Sequence, residues 1–502
     1  MHHDDSSFRD HGEALAEAER SRDRLARALD RSYYPAFHIC APAAWINDPN
    51  GLCFFGGRYH AFYQHNPMGC VWGPMYWGHV SSPDLVHWTD EPIALAPSIE
   101  ADREGVWSGS CVTAPDGRLY AFYTGHRWLT TPAERTAHRE LQCLAVSSDG
   151  THFEKLGVVV DNPEGLRNFR DPKVFAHDGA WYMVVGQESA DHKGQIALFT
   201  SCDLMDWEAA GILYECPDED VYMLECPDLF ELGGAWVLVF SKMFVRDGGP
   251  IHENQTGYVV GAWVPGKPLD VLRDYRPLDA CHNYYAPQSF ETPDGRRVSF
   301  GWVRPHRNEA PEQAHGWCGQ LTLPRAYTLT DDLALLRQPI AEVTGLVGET
   351  RRVGPFPATM GEGEAFYIPE DPMLRAITIT IDAKGSTTDA ELSLLLADAT
   401  GAEPLAITWS RRAGRVELRC GQMGRGAESA RSVEATGDAV TIQLYLDRSL
   451  LEVYVNGGRA TMTELVYPNG TDLTAALACM SGTVAVAGLT MAGPAEDIWR
   501  DR

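Results

Sequence analysis

One feature restricts this chain's fold more than any other: a strand–turn–strand unit that returns at intervals of 55 to 62 residues. It is seen in "CFFGGRYHAFYQ", "CVTAPDGRLYAFYTG", "KVFAHDGAWYMVVG", "DLFELGGAWVLVFS" and "SFETPDGRRVSFGW". The second turn residue is Gly57, Gly117, Gly179, Gly234 and Gly295, with separations of 60, 62, 55 and 61. A DG or GG pair suits a tight hairpin because glycine accepts positive φ. The flanking alternation and aromatic content describe half-buried strands. Between hairpins lie "SSPDLVHW", "SSDGTHFE" and "SCDLMDWE", turns that end in an aromatic anchor (Trp88, Phe153, Trp207). A unit of this size is one four-stranded blade, and five in series predict a five-bladed β-propeller. A β-sandwich has no need of a constant interval with matched turns.

Beyond about Arg337 the interval is lost. "DPMLRAITITIDAK", "ELSLLLADA", "AVTIQLYLDRSLLEVYVNGG" and "VAVAGLTMA" alternate as strands with short turns, predicting a β-sandwich. Residues 9–30 read as an amphipathic helix with Leu15, Ala18, Leu25, Ala28 and Leu29 near one face. The expected organisation is all-β: a helical extension over 1–32, a propeller over 33–337, a linker over 338–352 and a C-terminal β-sandwich over 353–502.

The acids are placed by the same interval. Asp48 in "NDP" lies nine residues before Gly57, Asp171 in "RDP" eight before Gly179, and Glu225 in "ECP" nine before Gly234. The equivalent positions in the second and fifth repeats are Ser108 and Ala286. If this is the innermost strand of each blade, its opening end faces the central funnel and three acids meet there. An isolated Asp before Pro is usually a turn residue; three at one register argue for a site. Neither EF-hand spacing nor a zinc motif is present, so no metal or other cofactor is expected. Asp447 and Glu452 of "LDRSLLEVYV" read as ordinary turn and strand residues outside the funnel. Cys226, beside Glu225, reads as a buried structural thiol, and the twelve cysteines of the chain form no CxxC pair.

Trp45, Trp72, Trp107, Asn47, Gln64 and Arg170 surround these acids in sequence. Aromatic faces and amides of this kind bind sugars, and glycoside hydrolysis needs two carboxyls held in different protonation states. A net charge of -27 excludes nucleic acid and anionic membranes as partners and fits a small neutral substrate. No run of 18 apolar residues occurs, and the charged N-terminus lacks a signal-peptide core, so the expected location is cytoplasmic. Asn254 and Asn469 open N-x-T sequons, which are common by chance. Nothing in the sequence speaks to oligomeric state.

"WINDPNG", "RDP" and "ECP" resemble the three signature boxes of glycoside hydrolase family 32, the β-fructofuranosidases, with Ile46 where Met is commoner. "FYQHNP", "WGHV", "WSGS", "YYAPQSF", "GWCGQLTLPR" and "LDRSLLEVYVNGG" are similar to further family segments. The N-terminal helix and "HNYYAPQSF" resemble most the actinobacterial intracellular members. The resemblance, over about residues 33 to 490, implies a propeller joined to a sandwich and retaining hydrolysis of terminal β-fructofuranosides such as sucrose. It implies Asp48 as nucleophile, Glu225 as acid/base and Asp171 as transition-state stabiliser, with Glu225 kept protonated by its acidic neighbours. Asn47, Gln64, Trp72, Trp107, Ser108, Arg170, Tyr285 and Trp302 are the expected substrate contacts. A sucrose 6-phosphate hydrolase, for which Lys242, Arg246, Arg304 and Arg307 offer positive charge, and a fructan-active enzyme are the alternatives. A sugar-binding propeller without activity has no reason to keep all three acids.

Overall fold

In the computed structural model, residues 10–130, 137–162, 165–245, 255–281, 283–303, 310–424 and 430–500 are described. The expected tail over 1–8, the Asn254 sequon and Arg246, Arg304 and Arg307 lie outside them. The chain forms two compact units, one of 1–29, 40–277 and 285–321, the other of 30–39, 278–284 and 322–502.

The propeller is present as five sheets, each built on four strands taken in chain order, with one short extra strand in the first and in the last. The innermost strands are Ala44–Phe55, Gly105–Thr113, Phe169–His177, Val221–Leu232 and Tyr284–Glu291. Each leads through its glycine turn into an antiparallel partner: Arg58–Asn66, Leu119–Trp128, Ala180–Glu188, Ala235–Phe244 and Arg297–Val303. Gly57, Gly117, Gly179, Gly234 and Gly295 have φ between 78° and 82°, and a Cβ at any of them would meet nothing within 4 Å. Backbone conformation, not crowding, therefore demands glycine at each turn. The short strand Trp317–Cys318 pairs in parallel with Ala44 and Trp45.

The aromatic anchors bind blade to blade. Trp88 meets Phe300, Phe153 meets Phe62 and Trp207 meets Phe122, all edge-to-face at centroid distances of 5.8, 5.6 and 5.7 Å. Phe62, Phe122 and Phe300 each stand five residues after their blade's turn glycine. One repeated contact thus seals successive blades, worth ~0.5–1.5 kcal/mol apiece beyond burial.

The helix runs His11–Ala26, with Asp10 as N-cap accepting from Glu13 N–H at 3.2 Å. Its buried face is Ala14, Ala18 and Ser21, packed on Tyr76, Ile93 and Ala96, while Leu25 is only half-buried and Ala28 is exposed. Small side chains let it approach its unit closely. No helix among the described residues is long and apolar enough to cross a membrane.

The second unit is a β-sandwich. One sheet is built on Arg375–Asp382, Ala439–Leu446 and Thr483–Ala492, the other on Glu391–Ala397, Leu405–Ser410 and Thr474–Ser481. Ile377, Ile379 and Ile381 belong to one core with Leu392, Leu394 and Leu396, so alternate residues of each sheet meet inside. The stretch 338–352 carries a helical turn at Val343–Val347.

Within this unit Asp447 and Glu452 are fully buried and hold His38 between them: Nδ1 lies 2.8 Å from Asp447 and Nε2 2.9 Å from Glu452. Arg325 Nη2 donates to Glu452 at 2.6 Å, and the backbone N–H groups of Ala36 and Phe37 donate to Asp447. Burial opposes charge on His38, but the two carboxylates outweigh it and raise its pKa from 6.5 to about 9. Its contribution to stability is complete below the unfolded value and is lost as pH rises through about 9. We therefore expect the urea midpoint of the wild type to fall between pH 7 and pH 9.5, and His38→Gln to remove most of that slope. The variant is also expected to be ~3–5 kcal/mol less stable at pH 7, because both carboxylates lose a buried partner.

Candidate active site

Each acid sits at a defect in its innermost strand. Pairing registers shift between Ile46 and Pro49, between Val106 and Gly109, opposite Arg170–Lys173, and between Glu225 and Asp228. A bulge leaves residues unpaired and re-aims their side chains, and proline, lacking an N–H, is tolerated there. Asp171, Cys226 and Ala286, each just before a proline, take positive φ of 68°, 50° and 48°. Non-glycine residues held this way cost ~1–3 kcal/mol each and cluster at functional sites. The matching positions of adjacent blades are therefore Asp171 and Cys226, and Arg170 and Glu225. Glu225 is one residue out of the register read from the glycines.

These bulges converge on a cavity of about 280 Å³ lined by Asn47, Asp48, Gln64, Trp72, Trp107, Ser108, His138, Glu140, Asn168, Arg170, Asp171, Glu225, Tyr285 and Trp302. All eleven residues expected from the sequence are among them, and Asp447 and Glu452 are not. The size is near the lower end of ligand pockets, ~300–1,000 Å³, and suits a small sugar unit.

Asp48 Oδ2 accepts from Ser108 Oγ at 2.6 Å and Oδ1 from Asn47 Nδ2 at 3.2 Å. The Cys226 thiol lies 3.5 Å from both Asp48 Oδ2 and Asp171 Oδ2, and Cys226 N–H donates to Asp171 Oδ2 at 2.9 Å. Cys226 is buried, and burial with three nearby acids holds its thiol well up, in the inert form. Glu225 Oε2 accepts from Tyr285 O–H at 2.6 Å, while Arg170 donates Nε (3.0 Å) and Nη2 (2.8 Å) to Oε1. Gln64 Nε2 is held by Val106 C=O at 3.0 Å. Trp107 stacks on His126 at 4.0 Å, and Trp72, 51% exposed, meets Trp107 edge-on at the rim. Trp302 stands 6.0 Å from Trp45 and 6.4 Å from Tyr285.

Burial raises Asp171 to about 8; Arg170 opposes this, and Glu225 and Asp48 reinforce it. Burial also raises Asp48, against the Ser108 hydrogen bond and with the help of Glu225. Burial thus opposes the ionisation of both Asp171 and Asp48 in the free protein.

His138, Glu140 and Asn168 were not foreseen. His138 and Glu140 lie on the third strand of the second blade (His138–Ser147), whereas the register reasoning used innermost strands alone. His126, His138 and Glu140 bring ligand-type atoms within 4.8 Å of one another. Both Glu140 oxygens, however, accept from Arg170 Nη1 (3.1 and 3.2 Å), a guanidinium that repels any cation placed there. Of the four basic residues considered for a phosphate, the described one, Lys242, is 2.5 Å from Asp218 and 3.6 Å from the Tyr275 ring centre.

Residues 38–339 match the N-terminal domain of glycosyl hydrolases family 32 and residues 362–492 its C-terminal domain. The chain is 37% identical over 457 residues to a sucrose-6-phosphate hydrolase of Escherichia coli, covering 90% of this chain and 93% of that one. It is 37% identical over 460 residues to a raffinose invertase of Escherichia coli, covering 90% and 94%. The solved β-fructofuranosidase BmSUC1 of Bombyx mori superimposes with a TM-score of 0.83 at 29% identity, covering 97% of this chain and 99% of that one. These relatives do not single out the actinobacterial enzymes that the N-terminal helix and "HNYYAPQSF" suggested; bacterial sucrose-6-phosphate hydrolases recur among them instead. With both family domains matched in order, and three acids brought to one cavity of the first unit, the chain belongs to glycoside hydrolase family 32.

Proposed function

We propose that this protein hydrolyses terminal β-fructofuranosides with retention of configuration, Asp48 acting as nucleophile, Glu225 as acid/base and Asp171 as a clamp on fructosyl hydroxyls. The observation that carries this reading is the meeting of the three acids in one buried cavity with aromatic walls. An Asp48 oxygen bonds to the anomeric carbon as the glycosidic C–O bond breaks, and Glu225 gives its proton to the departing oxygen. Water then attacks that carbon and yields its proton to Glu225, and the bond to Asp48 breaks. Ser108 and Asn47 hold Asp48 in line and favour its ionised form. Tyr285 and Arg170 fix Glu225. The location we propose is cytoplasmic.

Sucrose 6-phosphate is the favoured substrate, because sucrose-6-phosphate hydrolases predominate among the curated relatives. The charge of -27 pointed to a neutral one, but net charge does not report the local field at a leaving-group site. Neutral sucrose is the second reading, supported by the invertase relative and by Lys242 being engaged elsewhere. Comparing kcat/KM on both substrates at one pH and ionic strength decides. The expected ratio is ~100 in favour of the phosphate, about 2.7 kcal/mol of transition-state binding. A ratio at or below one returns the assignment to neutral sucrose. Adding 1-kestose, inulin and levan to the panel tests the fructan-active alternative.

A further inference from the structure

We propose that Glu140 is a positioning residue that divides the charge of Arg170 and so leaves Glu225 able to carry the proton it donates. This rests on the reading of Glu225 as the acid/base. Two hydrogen bonds to Glu225 run from the Nε–Nη2 edge of a buried guanidinium, and such a contact by itself favours the carboxylate over the acid. An acid gripped only in this way would reach the glycosidic oxygen without a proton to give.

The opposite edge of the same guanidinium is taken by Glu140. Arg170 Nη1 lies 3.1 and 3.2 Å from its two oxygens and 2.6 Å from Asn168 Oδ1. Glu140 is fully buried, and its orientation is set by Phe169 N–H, which donates to Oε2 at 2.6 Å. Although burial opposes its charge, Arg170, His138 and that N–H hold it at about 2, so it stays ionised across the working range. A single cation therefore serves two carboxylates on opposite edges, and the fixed negative charge of Glu140 counters its pull on Glu225.

Among the described residues, the groups facing this relay are few. Around Glu225 they are Arg170, Tyr285, Asp48, Asp171 and Cys226, with Lys242 on the neighbouring strand paired to Asp218. Around Glu140 they are Arg170, His138, and His126 directly across the strand pair. Among the described residues Glu140 is the carboxylate that touches the far edge of Arg170; Glu188 lies one residue further out, bonded to Asn168 and paired with His192.

The sign of the effect follows. Removing the negative charge gives Glu225 the whole attraction of Arg170, so the acid loses its proton at lower pH. Glu140→Gln keeps the size and can still accept from Phe169 N–H. It is expected to move the alkaline limb of kcat/KM to lower pH by roughly half to one unit. Glu140→Asp keeps the charge but withdraws it by one methylene, so its displacement should have the same sign and be smaller. β-Fructosyl fluoride, whose leaving group needs no proton, should show a smaller penalty at high pH than sucrose.

The test is the pH profile of kcat/KM for the wild type and both variants, with thermal melts to confirm folding. An unmoved alkaline limb with a uniform drop overturns the proposal, since a merely structural residue would give that result. Should Glu140→Gln fail to fold, Glu140→Asp decides: an acid-ward limb supports the proposal and an unmoved one overturns it. Wild-type protein that releases no fructose from sucrose, sucrose 6-phosphate or 1-kestose overturns the assignment of the acid/base and this inference together. A working wild type with an unmoved variant limb overturns the inference alone.

Discussion

Asp48→Ala is expected to lower kcat on sucrose or its 6-phosphate by ~10⁴-fold or more, the scale on which removal of a nucleophile acts. In the proposed mechanism the substitution removes the atom that forms the covalent bond and leaves its neighbours in place. Ser108 Oγ and the Cys226 thiol, which both face Asp48 Oδ2, lose an acceptor and cannot attack in its stead. No small anion should restore product of retained configuration, because an anion in the vacated space enters from the nucleophile's side and inverts the sugar. Steady-state rates with and without azide, with NMR of the products, check this. Azide-dependent rescue with retained configuration would assign the nucleophile elsewhere.

Glu225→Ala should fail differently. The nucleophile remains, so the first step slows in proportion to the leaving group's need for a proton. On sucrose the expected loss is ~10²–10⁴-fold, and on a substrate with a good leaving group much less. The fructosyl-enzyme then persists, because the attacking water has lost its base. Azide needs no base and should release a fructosyl azide of the original configuration. If the loss is equal for good and poor leaving groups, Glu225 is not the proton donor. Arg170 complicates only the size of the effect: with Glu225 gone, its Nε and Nη2 lose their partner while Glu140 still holds Nη1.

What could be read beforehand follows from how local each physical constraint is. The five turn glycines were legible because positive φ is a property of one residue, and all five fall within a few degrees of each other. The acids were legible because the bulge that aims them also tolerates a proline, which marks the place in "NDP", "RDP" and "ECP". The proline itself marks Cys226 as the counterpart of Asp171, as the backbone does; it was the count back from the turn glycines, eight for Asp171 and nine for Glu225, that joined those two acids. Trp88, Phe153 and Trp207 were visible as anchors, but their partners Phe300, Phe62 and Phe122 belong to other blades. Glu140 was invisible for the same reason. In "HRELQ" it reads as one polar residue of an alternating strand, and its meaning comes from an arginine 30 residues on. His38 is more remote still, 409 residues from Asp447. The charge of the leaving group was not legible for a different reason, since a sum over 502 residues carries no information on where charges lie.

The central claim is that a fructosyl unit becomes covalently attached to Asp48. It is tested most directly by incubating the Glu225→Ala protein with β-fructosyl fluoride, stopping the reaction in acid and mapping the adduct by peptide mass spectrometry. The account predicts a mass gain of one fructosyl residue on the peptide that contains "WINDPNG", localised to Asp48 and absent from the Asp48→Ala, Glu225→Ala double variant. A label on Asp171 or elsewhere, or a substrate turned over without any adduct and with inverted configuration, would contradict it.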